Sequence, residues 1–314
     1  MHTVKTFLCV LCVLCFSQSV QHGSKWRLVW AEEFEYKGLP DPEKWRYDVG
    51  GHGWGNKELQ YYTQGREENA RVENGRLIIE ARRDAWEGHE YTSARLVSKS
   101  KGDWTYGRFE VRAKLPSGRG TWPAIWMLPS GKDYGGWPNG GEIDIMEHVG
   151  FDPDVVHASV HTKSYHHTIN TQKTAKISVP TSRSEFNIYA VEWTPEEIRT
   201  FVNDRHYFTF KNERLTNPNA DYKEWPFDKP FHLLLNLAVG GTWGGEKGVT
   251  RASGLSGWRL TTFASTSQSI KPRITRMKTR RYIHRCVFIR VIRGLIQLLP
   301  EAPRTHADQN NRER

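Results

Sequence analysis

Trp137-Pro-Asn-Gly-Gly-Glu-Ile-Asp-Ile-Met-Glu-His148 is the stretch around which the rest of the chain is organised. Glu142, Asp144 and Glu147 are interleaved there with Ile143, Ile145 and Met146. Acid and apolar residues alternate over Glu142–Ile145, the period-2 pattern of a strand with one polar and one packed face. Glu142 and Asp144 therefore share a face. Glu147 falls on the opposite face of a regular strand, because an odd step reverses the side chain. A β-bulge near Met146 would absorb one residue and return Glu147 to the other two acids. At roughly 3.3 Å per residue the two glutamate Cα atoms then lie about 13 Å apart. Inward-leaning side chains could bring the carboxyls to about 5 Å, the spacing of a retaining glycosidase.

Short strands separated by turn residues continue on both sides. The pattern predicts strands over Trp26–Phe34, Arg76–Glu80, Tyr91–Ser98, Trp104–Leu115, Gly120–Leu128, Glu142–His148 and Val156–Thr162. It predicts further strands over Asn187–Trp193, Glu197–Val202, Arg205–Phe210 and Phe231–Val239, with hairpin turns at Glu73-Asn-Gly75 and Asn203-Asp-Arg205. No long stretch has a helical period, so the chain reads as an all-β sandwich or barrel.

The residues around the acids make the reading specific. Glu142-Ile-Asp144-Ile-Met-Glu147, Thr121-Trp-Pro-Ala-Ile-Trp-Met-Leu-Pro129, Trp137-Pro-Asn-Gly140 and Asn236-Leu-Ala-Val-Gly-Gly-Thr-Trp-Gly-Gly245 resemble glycoside hydrolase family 16, in its laminarinase-like branch with the bulge. The resemblance runs from about Trp26 to about Val249. It implies a jelly-roll β-sandwich (concanavalin A-like) with an open cleft on the concave sheet, acting as a monomer on β-1,3-glucan. It implies Glu142 as nucleophile, Glu147 as acid/base and Asp144 between them, raising the proton affinity of its neighbours. Asn56, Glu58, Gln60 and Tyr62 would line the groove wall. Trp126 and Trp137 would flank the scissile subsite, His161 would serve the sugar at the reacting centre, and Trp243 would border the aglycone side. Trp122 reads as buried. Many members carry a structural calcium, and the resemblance points to Glu33 and the Gly75 carbonyl as ligands. The final-strand Asp of that site has no counterpart here, and catalysis requires no cofactor. The paired His166-His167 lack further ligands at zinc-like spacing, so a metal reading is rejected.

Charge and leader narrow the function classes. Of the 45 Lys and Arg, 14 lie in residues 251–314 with 3 of the 35 Asp and Glu, leaving 31 basic and 32 acidic residues in 1–250. A neutral body without a basic stripe argues against nucleic acid and against a heavily sulfated galactan as substrate. Lys5 followed by the apolar run Phe7–Phe16 reads as a secretory signal ending near Ser19, too short to span a membrane. Three of the four cysteines, Cys9, Cys12 and Cys15, would leave with it, and Cys286 alone could form no intrachain disulfide. The product would be secreted or periplasmic. The domain is expected over 20–249, and residues 250–314 read as a basic, strand-poor tail lacking the family's closing strand. Its run Cys286–Leu299 is broken by Arg290 and Arg293, which removes a membrane span. The alternatives are a glucan-recognition protein without catalysis, against which both glutamates argue, and a hydrolase of another β-glucan or galactan on the same fold.

Overall fold

A computed structural model describes Trp26, residues 28–250 and the backbone of the strands at 258–264 and 287–288. The expected leader at 1–19, the four cysteines and most of the basic tail lie outside the described residues. In chain order the strands are β1 Arg46–Tyr47, β2 Gln60–Tyr62, β3 Ala70–Glu73, β4 Arg76–Ala81, β5 Tyr91–Ser93, β6 Arg95–Val97, β7 Asp103–Trp104, β8 Gly107–Lys114 and β9 Thr121–Pro129. They continue as β10 Glu142–Glu147, β11 Val155–His161, β12 Lys173–Ser178, β13 Asn187–Trp193, β14 Glu197–Val202, β15 Arg205–Lys211, β16 Phe231–Val239, β17 Trp258–Ala264 and β18 Val287–Phe288. Among the described residues helix is confined to single 3-10 turns, and no helix is long and apolar enough to cross a membrane.

The strands form two large sheets stacked as a jelly roll. The first runs β1-β6-β16-β9-β10-β11-β12, with β7 also on β16; the second runs β15-β14-β13-β8-β17-β4-β3, with β18 on β8. Alternation decides which side chains fill the space between them. Ile125, Met127, Ile143, Ile145, Met146, Leu233, Leu235 and Leu237 of the first sheet meet Leu77, Ile79, Phe109, Val111, Tyr189, Val191 and Trp193 of the second, all buried. Burying one such side chain contributes about 1.5–3 kcal/mol, so one face of β9, β10 and β16 is committed to the core. Their other face is free to carry chemistry.

Three expectations are corrected here. No ladder forms over Trp26–Phe34 among the described residues, where Glu32 alone is bridged. Phe34 takes φ +54, outside extended space, and its N–H is capped by the Glu32 carboxylate at 3.0 Å. The single strand expected over Tyr91–Ser98 is two, because β5 pairs in parallel with β2 while β6 pairs with β1 and β16. The strand expected over Trp104–Leu115 is likewise broken at Tyr106, at φ +68.

The stretch expected to be strand-poor also contains a strand. The backbone of β17 pairs antiparallel with β4, from Trp258 opposite Ala81 to Thr262 opposite Leu77. It pairs equally with β8, from Thr261 opposite Lys114 to Ala264 opposite Val111. It fills the slot between two strands whose inner edges would otherwise carry unpaired N–H and C=O groups.

Candidate active site

The bulge expected near Met146 is present one residue earlier. On β9, consecutive residues Trp126 and Ile125 face Asp144 and Met146, so Ile145 is the extra residue. On β11, Ser159 faces Asp144 and His157 faces Glu147, the same irregularity seen from the other side. Ile145 and Met146 are both fully buried. The apolar core thus takes two consecutive side chains, and Glu147 is turned back to the polar face with Glu142 and Asp144.

The three acids share that face with His161. Its Nε2 is 3.3 Å from Asp144 Oδ2 and 3.8 Å from Glu142 Oε1. Ligating atoms of Glu142, Asp144 and His161 all lie within 4.8 Å of one another. Such crowding in a dry site holds protons on carboxylates. Burial, then the charge of Asp144, pushes Glu142 well above the usual carboxylate range. Burial, then the charge of Glu147, does the same to Asp144. Glu147 is also raised by burial, against the opposing pull of His161 and of a hydrogen bond from Trp122. Burial thus acts on all three acids to keep protons on this cluster.

Trp122 corrects the sequence reading. It is half-buried rather than buried, because Trp122, Ala124 and Trp126 alternate onto the polar face of β9. Its Nε1–H donates to Glu147 Oε1 at 3.0 Å. Trp243 stands edge-on to Trp122 at 5.5 Å and to His157 at 4.9 Å, so this end of the face is walled by rings. At the other end Trp137, 42 % exposed and joined to Pro138 by a cis peptide bond, lies 6.1 Å from His161 and 5.1 Å from His167, with His166 at 5.6 Å. His166 and His167 thus flank an aromatic platform.

The Asn56, Glu58 and Gln60 wall is less open than the alternation suggests. Gln60 has no exposed surface; its amide donates to Glu58 at 2.7 Å and its carbonyl accepts from Val239 N–H at 2.7 Å. Glu58 also accepts from Asn56 at 3.2 Å and from the Tyr62 hydroxyl at 3.2 Å, and burial raises its proton affinity. Tyr62 in turn accepts from Asn236 at 3.0 Å, and Asn236 accepts the indole N–H of Trp126 at 2.7 Å. This chain anchors Trp126. The Arg95 guanidinium lies 4.7 Å from the ring centroids of both Trp126 and Trp54 and pairs with Asp48 at 2.9 Å. Arg95, Trp54 and Asn236 did not figure among the sequence-read site residues, whereas Tyr62, read on the groove wall with Gln60, is fully buried. Only Asn236 left a signal, as the one amide in the otherwise apolar run Leu233–Val239.

Glu33 and Gly75 are the residues to which the resemblance assigned calcium. Burial and the charges of Glu35 and Glu32 push the Glu33 carboxyl up to about 7, a negative potential that a cation would relieve. Gly75 sits in the β3–β4 turn at φ +69. Among the described residues, however, the one group of three ligating side chains is Glu142, Asp144 and His161. Glu33 joins no such group of three side chains, and no chemistry is routed through an ion.

Comparison with known proteins agrees with this geometry. Residues 57–253 match the sequence model of glycosyl hydrolases family 16. The chain is 65% identical to a beta-glucanase of Rhodothermus marinus over 76% of its length and 84% of that protein. It is 39% identical to a glucan endo-1,3-beta-glucosidase of Cryptopygus antarcticus over 77% of its length and 90% of that protein. The solved laminarinase of Rhodothermus marinus superposes with a TM-score of 0.74 at 62% identity, covering 78% of this chain and 97% of that one. The chain belongs to family 16 of the glycosyl hydrolases.

Proposed function

We propose that this protein is a secreted, monomeric endo-β-1,3-glucanase that cleaves laminarin-like polymer with retention of anomeric configuration. The observation that carries this reading is the bulge at Ile145, which gathers Glu142, Asp144 and Glu147 on one face between two sets of aromatic rings. Relatives named beta-glucanase, glucan endo-1,3-beta-glucosidase and laminarinase support the substrate. The apolar N-terminal run supports export.

In the first step the Glu142 carboxylate attacks the anomeric carbon while protonated Glu147 gives its proton to the leaving oxygen. The bond from the anomeric carbon to that oxygen breaks, and an ester to Glu142 forms. Glu147, now ionised, takes a proton from water, which attacks the same carbon and releases Glu142. Asp144 accepts a proton shared with Glu142, so the remaining charge can reside on the nucleophile. Trp126 and Trp137 offer flat apolar faces on which the C–H face of a sugar can stack.

The test is release of reducing ends from laminarin by the mature chain beside Glu142→Gln, with the first-formed anomer followed by NMR. Release that Glu142→Gln abolishes, with the β-anomer formed first, supports the reading. The α-anomer first, or full turnover by Glu142→Gln, ends it. Folded protein that binds laminarin without cutting it makes the chain a glucan-recognition protein instead.

A further inference from the structure

We propose that Trp122 is a positioning residue for the acid/base: its indole N–H holds the Glu147 carboxylate at the cleft, and the loop 240–245 holds Trp122. The inference rests on the role of Glu147 proposed above. The geometry is a 3.0 Å bond from Nε1 to Oε1, made by a half-buried ring on the strand next to β10. Glu147 is the last residue of β10 and follows the bulge, and its carboxylate accepts the Trp122 indole N–H. That bond fixes the direction in which the carboxylate points. A donor to an ionised carboxylate is worth more than one to a neutral acid, so this contact favours the charged form, as required when Glu147 activates water.

Trp122 itself is clamped. A Cβ on Gly244 would lie 2.8 Å from the Trp122 Cβ, a distance that only glycine permits, and Trp243 closes on the ring edge at 5.5 Å. Thr242 N–H is tied to the Asn56 carbonyl at 2.7 Å and Gly240 N–H to the Gly120 carbonyl at 2.8 Å. The loop is thus fastened on two sides. The other titratable groups around Glu147 are Glu142 and Asp144 on its own strand, His157 and His161 on β11, and Tyr207 on β15, which senses its charge. Replacing the indole by a phenyl ring removes the N–H and leaves each of them in place.

The experiment is the pH profile of kcat/KM on laminarin for wild type, Trp122→Phe and Glu147→Gln. Loss of the N–H raises the proton affinity of Glu147, so the basic limb, where the general acid loses its proton, moves up by about one pH unit. Lower activity with an unmoved limb makes Trp122 a packing residue and overturns the proposal. Should Trp122→Phe not fold, ¹⁵N-indole NMR of the wild type decides: one tryptophan N–H must titrate with the basic limb and stop doing so in Glu147→Gln. No such resonance overturns the proposal. A wild type that releases no reducing ends, or an active Glu147→Gln, refutes the reading of Glu147 as acid/base instead, and the NMR experiment still reports on the hydrogen bond.

Discussion

Asn236→Leu tests the anchoring of Trp126. The amide is buried, accepts the Trp126 N–H at 2.7 Å and donates to the Tyr62 hydroxyl at 3.0 Å. Leucine has nearly the same size, so the change removes two hydrogen bonds while leaving little cavity. Each bond contributes about 1 kcal/mol net, and an orphaned buried partner costs about 1–3 kcal/mol. Tyr62 is fully buried but still donates to Glu58 at 3.2 Å, and Trp126 is half-buried, so water can reach its N–H. The low end applies: about 2 kcal/mol, which for a domain of this size lowers Tm by about 4–8 °C. The Trp126 ring, still against Arg95 but no longer tethered, should bind sugar less well. KM on laminarin should rise about threefold to tenfold with kcat changed much less, consistent with loss of a binding contact shared by ground and transition states. Thermal melts by circular dichroism and steady-state reducing-sugar kinetics read both. An unchanged Tm, or a fall in kcat at constant KM, refutes the argument that this network acts by fixing Trp126.

Glu142→Gln should be inactive yet more stable at neutral pH, because it removes a carboxylate that burial and Asp144 hold well above its ordinary range. A raised folded-state value means the native protein binds the extra proton. The wild type is therefore stabilised below the ordinary carboxylate range and loses that stability as pH rises toward the raised value. The advantage of the variant should appear in melts at pH 7 and shrink by pH 4; an advantage independent of pH would refute the electrostatic cause. Gly244→Ala drives a Cβ into Trp122 and the Gly240 carbonyl at a buried position and should lower both Tm and kcat on laminarin, the latter about tenfold or more; unchanged kcat would show that the loop yields without moving Trp122. Truncation after Val249 removes β17 from between β4 and β8 and should yield insoluble or far less stable protein than truncation just beyond Ala264; equal solubility and melting would refute a structural role for that strand.

Much of the site was legible because strands impose period 2. Glu142 and Asp144 share a face by parity alone, and the odd step to Glu147 could be reconciled with them only through a bulge, which the register confirms at Ile145. Trp126 and His161 came from the family resemblance instead, and the structure sets both beside Asp144. Gln60 shows the limit of the same rule: alternation assigns a face, but not whether that face is open. Strand β2 is covered, so Gln60 has no exposed surface and spends both ends of its amide inside the protein. Arg95 gave no signal because its role depends on two tryptophans, Trp54 and Trp126, far from it in sequence.

By itself the sequence determined the class of the fold, the strand carrying the acids and the residue types able to do glycosidic chemistry, since these follow from local alternation and from a compact motif. The tertiary structure decided what lies next to what. Trp122 read as buried became the donor to Glu147, because the neighbouring strands β9 and β10 bring residues 25 positions apart to 3.0 Å. Trp258–Ala264 became a strand because β4 and β8 leave a slot between them. Backbone pairing across that slot depends on unsatisfied edges elsewhere in the molecule, and such edges leave no mark in the seven residues that fill it.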